Sequence, residues 1–211
     1  MAIDRTNKKQ SFDNPGENHL VSLAANDVNY WISFISDPVA VVFFIYWEAA
    51  ILHTSILGLS ISYGSGLLIW SLLEYSFHRW IYHQGRTPAH VGHKLHHQFP
   101  RMLIAMPWFL VTAFLGCVWA FVYYLQIHFI LSFMAAITTG FVFYGAFHHI
   151  HHHFHFKNSW YRKLRAHHVI HHQFPDVNFG VTTRLWDHVF GTAYQKEPKK
   201  RAPLGGSQMI I

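Results

Sequence analysis

The chain has 211 residues, of which 51% are hydrophobic, 18% aromatic and only 12% charged, with a formal net charge of +6 and 20 histidines. That length suits one domain, and so few charges on so apolar a chain exclude an ordinary soluble globule and point to a membrane. The single cysteine, Cys117, excludes an intrachain disulfide, and no nucleic-acid motif accompanies the positive charge.

Residues 1–36 form a polar arm with weak amphipathicity around 20–35, which suits an interfacial segment, and it lacks the apolar core of a secretory signal peptide. Four apolar runs follow, at 38–58, 60–77, 103–125 and 128–147. Each is close to the ~20 residues that cross a bilayer as helix. The links between paired runs, 58–60 and 126–127, carry no charge, whereas all sixteen Lys and Arg lie in the arm, in the 79–101 loop or from 157 onward. By the positive-inside rule those three regions, both termini included, face the cytoplasm. The expected fold is therefore all-α, with four transmembrane helices in two hairpins and a cytosolic His-rich helical cap. The arm covers 1–36, the integral membrane domain 37–195 and a basic flexible tail 196–211. The host is a bacterial inner membrane or the endoplasmic reticulum, and the positive charge reports topology and anionic headgroups.

The histidines are organised. "EYSFHRWIYH" carries His78 and His83, and "HKLHH" carries His93, His96 and His97. "AFHHIHHHFHF" contains the pair His148 and His152, and "RAHHVIHH" carries His168, His171 and His172. Spacings of three and four share a helical face, whereas His78 and His83, five apart, diverge by roughly 140° on an ideal α-helix. Such a pair suits a helix end or a site wrapped from two sides. Neutral imidazole is the commonest metal ligand, and these ten exceed the four ligands of a closed tetrahedral site. They suit two metal ions sharing one cluster at the mouth of a four-helix bundle. His149, His151, His153, His155 and His167 are alternative ligands or hydrogen-bond donors around the site, as is His90. Glu74, one turn before His78, either pairs with Arg79 or Arg101 or accepts the far N–H of a ligating histidine. Glu48 lies deeper, where an acid is a functional candidate by default, and its role is open.

Together with "HHIHH" and "NFGVTTRLWDHVFGT", these segments resemble the fatty acid hydroxylase / sterol desaturase superfamily of integral-membrane, non-haem di-metal enzymes, closest to its fatty acid 2-hydroxylase branch. The resemblance covers about 70–194 and makes 37–195 a hydroxylase-type catalytic domain. It sets the third box at His148 and His152, because Tyr144 precedes them as the family's tyrosine does. It also implies that Asn178, Trp186 and Asp187 brace the last histidine box or shape the substrate slot. Two departures stand out: only nine residues separate His83 from His93, and Gly145 takes the place of a polar residue. No haem-binding HPGG-like segment precedes the spans, so electrons are expected from a separate carrier, cytochrome b5-like or ferredoxin-like.

Unactivated C–H bonds need a metal that binds O2 and changes oxidation state, which zinc does not. The expectation is two iron ions, with zinc able to replace them in isolated protein, and O2-dependent hydroxylation at carbon 2 of a fatty acyl chain or membrane lipid. A sterol desaturase or oxidase, or a carotenoid hydroxylase, on the same scaffold is the alternative. A membrane zinc transporter or metal sensor, and a bis-histidine haem protein, are the readings from other classes.

Overall fold

The computed structural model describes residues 19–196; the expected polar arm before residue 19 and the basic tail after 196 lie outside the described residues. A short helix α1 (His19–Ala24) leads into α2 (Asp27–Tyr46), which continues as a π-helical turn over Trp47–Ile51. The span begins at Asp27 rather than at residue 38. The Asn26 side chain accepts hydrogen bonds from the N–H groups of Val28 and Asn29 and starts the helix there. Pro38 is carried inside it at the loss of one N–H bond.

The Ser55 hydroxyl accepts from the Gly58 N–H and opens α3 (Ile56–Ser76). Residues 58–60, expected as the link, are therefore helical, and the chain turns at 52–55 with His53 at φ 53°. Helix α3 runs on as a π-helix over Phe77–His83, and α4 (Pro88–Gln98) starts from a Thr87 cap. Residues 103–107, expected within the third span, are irregular. Pro107 disfavours helical backbone before it. The Ala105 N–H instead bonds the Ala24 carbonyl, and Asn29 holds the Ala105 carbonyl and the Trp108 N–H.

Helix α5 (Trp108–Leu125) then pairs with α6 (Ile130–His153), which carries the dense histidine run as its own last turns. Helix α7 (Ser159–Gln173), capped by Asn158, and a single turn α8 (Leu185–Val189) complete the His-rich cap.

Four helical stretches, Asp27–Ile51, Ile56–His83, Trp108–Leu125 and Ile130–His153, are long and apolar enough to cross a membrane. No more than 33% of any of them is buried by protein, so their outward faces need lipid. The architecture is that of a multi-pass α-helical membrane protein built from two hairpins. Helices α3 and α6 pack most extensively. Gly140 lets the Trp70 ring lie on the α6 backbone, and Gly66 lets α3 approach Phe133 and Ala136. Small residues at such crossings replace a hydrophobic driving force that lipid does not supply. Phe44, Leu52, Leu115, Val122, Leu131 and Ala135 form a core toward the end opposite the histidines.

Glu48 belongs to that far end. It is fully buried, and its carboxyl accepts from the Thr54 hydroxyl and the N–H groups of Phe129, Leu131 and Ser132. It caps the start of α6, where the first N–H groups have no partner within the helix.

Candidate metal centre

The helices that carry histidines converge at one end of the bundle. The ten histidines expected as ligands fall into two groups of five, His78, His83, His93, His97 and His171, and His96, His148, His152, His168 and His172. Within each group one ring nitrogen per residue lies within 4.8 Å of all the others.

The division follows helix geometry. In α4, the i, i+4 pair His93 and His97 enters the first group while His96, at i+3, enters the second. In α7 the pattern is exchanged: His168 and His172 enter the second and His171 the first. The last turns of α6 give His148 and His152 to the second group. The two groups adjoin, with the rings of His97 and His172 stacked at 4.3 Å.

His78 and His83 correct the expectation of divergent side chains. Their segment is a π-helix, whose wider turn brings residues five apart closer to one face than an α-helix does. Their ring centroids are 5.1 Å apart and both belong to the first group.

Nitrogens held at ~2.1 Å from a common ion and at right angles to each other lie about 3.0 Å apart. In the first group, the Nε2 of His93 lies 3.1 Å from that of His78, 3.0 Å from that of His83 and 3.0 Å from that of His97. His83 and His171 are 3.0 Å apart. In the second group, the separations are 3.1 Å for His96 and His172, 2.9 Å for His152 and His168, and 3.2 Å for His168 and His172. The Nε2 of His148 is buried without a hydrogen-bond partner, which a metal ion would supply. Burial, reinforced by neighbouring histidines, pushes His93, His96 and His168 well below the usual imidazole range. Burial likewise takes His97 to about 4, His171 to about 3 and His172 to about 2. These rings are neutral at pH 7, and neutral lone pairs converging in one small volume suit a cation. Each group is able to hold a metal ion.

The loop 177–182 fixes how two of the rings are turned. His171 Nδ1 donates to the Val177 carbonyl at 2.8 Å, and His78 Nδ1 donates to the Phe179 carbonyl. Both rings therefore present a bare Nε2 to the first group. Two buried acids hold this loop. Glu74 accepts the Val181 and Thr182 N–H groups, each at 2.8 Å, and the Thr182 hydroxyl. It forms no hydrogen bond or ion pair with Arg79, Arg101 or a histidine: the long-range loop takes up its lone pairs, which corrects both expectations for it. Asp187 accepts the N–H groups of Phe179 and Gly180 at 2.8 Å, the Thr192 hydroxyl at 2.7 Å and His167 Nε2 at 2.8 Å. Burial raises the Asp187 pKa, but the donors from His167, Gly180 and Thr192 outweigh it and hold the carboxyl below its usual range. Asn178, left-handed at φ 58°, ties the His167 carbonyl to the Tyr194 N–H. The Trp186 indole donates to Ser71 on α3. Tyr144 lies flat on the His148 ring, 5.6 Å between centroids.

The surplus histidines are engaged elsewhere and belong to neither group. His149 Nδ1 meets the Tyr30 hydroxyl at 2.9 Å, and its ring stacks on His153. His151 Nε2 reaches the Val181 carbonyl, His155 pairs with Arg165, and His90 Nδ1 donates to the Tyr82 carbonyl. His128 approaches Thr54 at the far end of the bundle.

A cavity of about 270 Å³ opens beside the centre. Leu20, Ile104, Met106, Leu110 and Phe141 give it apolar walls, and it reaches His93 in the first group and His96 and His148 in the second. Tyr82 and Tyr144 also line it, and α2 adds the polar groups of Tyr30, Ser33 and Asp37, none of which the sequence singled out. The available signal was an acid inside the apolar stretch "ISDPVAVV".

The fold and sequence have counterparts. A solved structure described as full-length scs7p, with only its hydroxylase domain visible, superposes with a TM-score of 0.65 over 86% of this chain and 72% of that one, at 24% identity. The dihydroceramide fatty acyl 2-hydroxylase FAH2 of Arabidopsis thaliana is 30% identical over 146 residues, which are 64% of this chain and 61% of that protein. The ceramide very long chain fatty acid hydroxylase scs7 of Schizosaccharomyces pombe is 33% identical over 142 residues, 60% of this chain and 40% of that one. The fatty acid 2-hydroxylase of Rattus norvegicus is 30% identical over 154 residues and is matched over 39% of its length. Those relatives thus extend well beyond the matched region. Residues 63–192, which hold all ten clustered histidines and both acids that brace the loop, match the family model described as fatty acid hydroxylase, and the chain belongs to that family.

Proposed function

We propose that the ten histidines hold two iron ions, five ligands to each, and that the chain inserts a hydroxyl at carbon 2 of a fatty acyl lipid. The observation that carries this reading is the apolar cavity whose wall includes His93, His96 and His148, candidate ligands from both groups. Bound there, iron supplies the redox chemistry with O2 that cleaving an unactivated C–H bond requires. The balance is a C–H bond, O2, two electrons and two protons giving C–OH and water, with the electrons from a separate carrier.

The residues of the chain do the positioning. Val177 and Phe179 orient His171 and His78, Glu74 and Asp187 hold the carbonyls that do so, and the apolar walls keep water away. The distribution of Lys and Arg supports a cytoplasmic histidine end. At that level the polar end of a lipid meets its chain, so carbon 2 comes to the centre before carbons deeper in a hydrocarbon core ~30 Å thick.

Full-length protein loaded with iron and given a reductant, a long-chain acyl lipid and isotopically labelled O2 should yield the 2-hydroxy product carrying the label, whereas labelled water should leave it unlabelled. A product oxidised mid-chain, or a new double bond, would overturn the carbon 2 assignment. Oxidised sterol or carotenoid as sole product would overturn the acyl substrate.

A further inference from the structure

Four acids are buried in the described part of the chain, and three are saturated. Glu48 accepts four hydrogen bonds, Glu74 three and Asp187 four. Asp37 is as hidden, at 2% exposure, yet among the described residues only the neighbouring Ser36 hydroxyl donates to it, at 3.2 Å. Buried polar groups are normally paired, and leaving one short of partners is costly. Asp37 sits within a membrane-spanning helix, where an ionisable side chain marks a functional position by default. It lines the cavity that reaches the histidine groups.

The same turn offers a further acceptor. Residue 38 is proline, so the Phe34 carbonyl lacks its usual N–H donor four residues on, and Phe34 also lines the cavity. Ser33 spends its own proton on the Tyr30 carbonyl at 2.7 Å, which leaves its oxygen as an acceptor. The α2 wall is thus poor in donors and rich in acceptors, and it faces apolar side chains below the level of Tyr82, Tyr144 and the histidines that also line the cavity.

We infer that Asp37 receives a hydroxyl group carried by the lipid substrate and selects lipids that have one over lipids that do not. This rests on the lipid hydroxylase reading and adds a recognition element to it. A hydroxyl suits the site better than an ammonium, because it donates to a carboxylate and both donates to and accepts from a carboxylic acid, without bringing a charge into the membrane. The position is set by the helix. Tyr30, whose hydroxyl meets His149, lies seven residues before Asp37, which is about 10 Å along the axis at 1.5 Å per residue. The recognised hydroxyl therefore lies about that far below the level of the histidines, along the chain of the lipid.

The test uses full-length protein with its metals in lipid nanodiscs and reads equilibrium binding without turnover. The probes are stearoyl lipids with a single hydroxyl at stepped positions along the chain, the unsubstituted lipid and an amine-bearing analogue. Wild type should bind one mid-chain hydroxyl isomer about ten-fold more tightly than the unsubstituted lipid, the scale of one buried hydrogen bond. Asp37→Leu should bind the hydroxylated and unsubstituted lipids with equal affinity while keeping its metals. Asp37→Asn, which still hydrogen-bonds, should retain part of the preference. No preference in wild type, an unchanged preference in Asp37→Leu, or selection of the amine would overturn the inference. If wild type oxidises the unsubstituted lipid but binds all probes equally, this inference falls and the hydroxylase reading stands. Selective binding with no lipid oxidised does the reverse.

Discussion

Asp187→Asn is the sharpest probe of how the first histidine group is held. One Asp187 oxygen takes the Phe179 N–H and the Thr192 hydroxyl, and the other takes the Gly180 N–H and His167 Nε2. An asparagine must point its NH2 at one of these pairs. Thr192 or His167 can turn to accept it, but a backbone N–H cannot, so one buried donor is stranded whichever way the amide flips. That costs about 1–3 kcal/mol, or roughly 5–150-fold in an equilibrium constant. The strain falls on the loop whose Val177 and Phe179 carbonyls orient His171 and His78, so metal affinity should drop by ~10–100-fold, the range for groups that support ligands. The effect should be confined to one site, because both of those histidines belong to the first group. Chelator competition followed by elemental analysis of the full-length protein should therefore show one ion lost early and one retained. Equal weakening of both sites, or two ions held as in wild type, would refute the assigned role of the loop.

Glu74→Gln should be milder, lowering metal affinity by about ten-fold at the low end of the same range: one oxygen of Glu74 takes both backbone N–H groups, so the amide can keep it in place and turn its NH2 to the Thr182 oxygen. Glu74→Leu strands both N–H groups, and thermal unfolding in detergent should then report a loss of about 2–6 kcal/mol, at 1–3 for each buried donor. His171→Ala and His96→Ala should each give protein with one ion instead of two, whereas His128→Ala should keep both, as read by elemental analysis. Glu48→Leu should lower the unfolding temperature and leave metal content unchanged, because its three backbone partners open α6 at the end remote from the histidines.

The ten clustered histidines were legible because i, i+3 and i+4 spacing survives folding wherever the helix does. The same spacing could not show that α4 and α7 would each divide their three residues between two sites, since that depends on how the two helices face each other. His78 and His83 looked divergent because a π-helix has no sequence signature comparable to an amphipathic repeat. Glu74 stood out as a rare acid near the membrane and Asp187 through the family resemblance, but the loop Glu74 holds lies more than 100 residues away, and local sequence carries no such pairing. Asp37 escaped notice because it stands just outside the apolar run that the sequence shows from residue 38. Asn26, a strong cap eleven positions before Asp37, moved that boundary and put the acid inside the span.

The placement of polar groups also separates an enzyme from a carrier of ions. A transporter holds its substrate near the bilayer midplane, on helices broken to present backbone and side-chain ligands. Here the polar groups at the end opposite the histidines are consumed by structure: Glu48 is filled by donors from the start of α6, and Thr54 bridges Glu48 and His128. Above them the α3–α6 crossing is closed by Gly66, Ala136, Gly140 and Trp70, which offer an ion no lone pairs along the axis. Both candidate sites lie at one end, ring against ring, with hydrogen bonds that fix their orientation. What reaches them is a largely apolar cavity, a space suited to a lipid chain rather than to a hydrated ion.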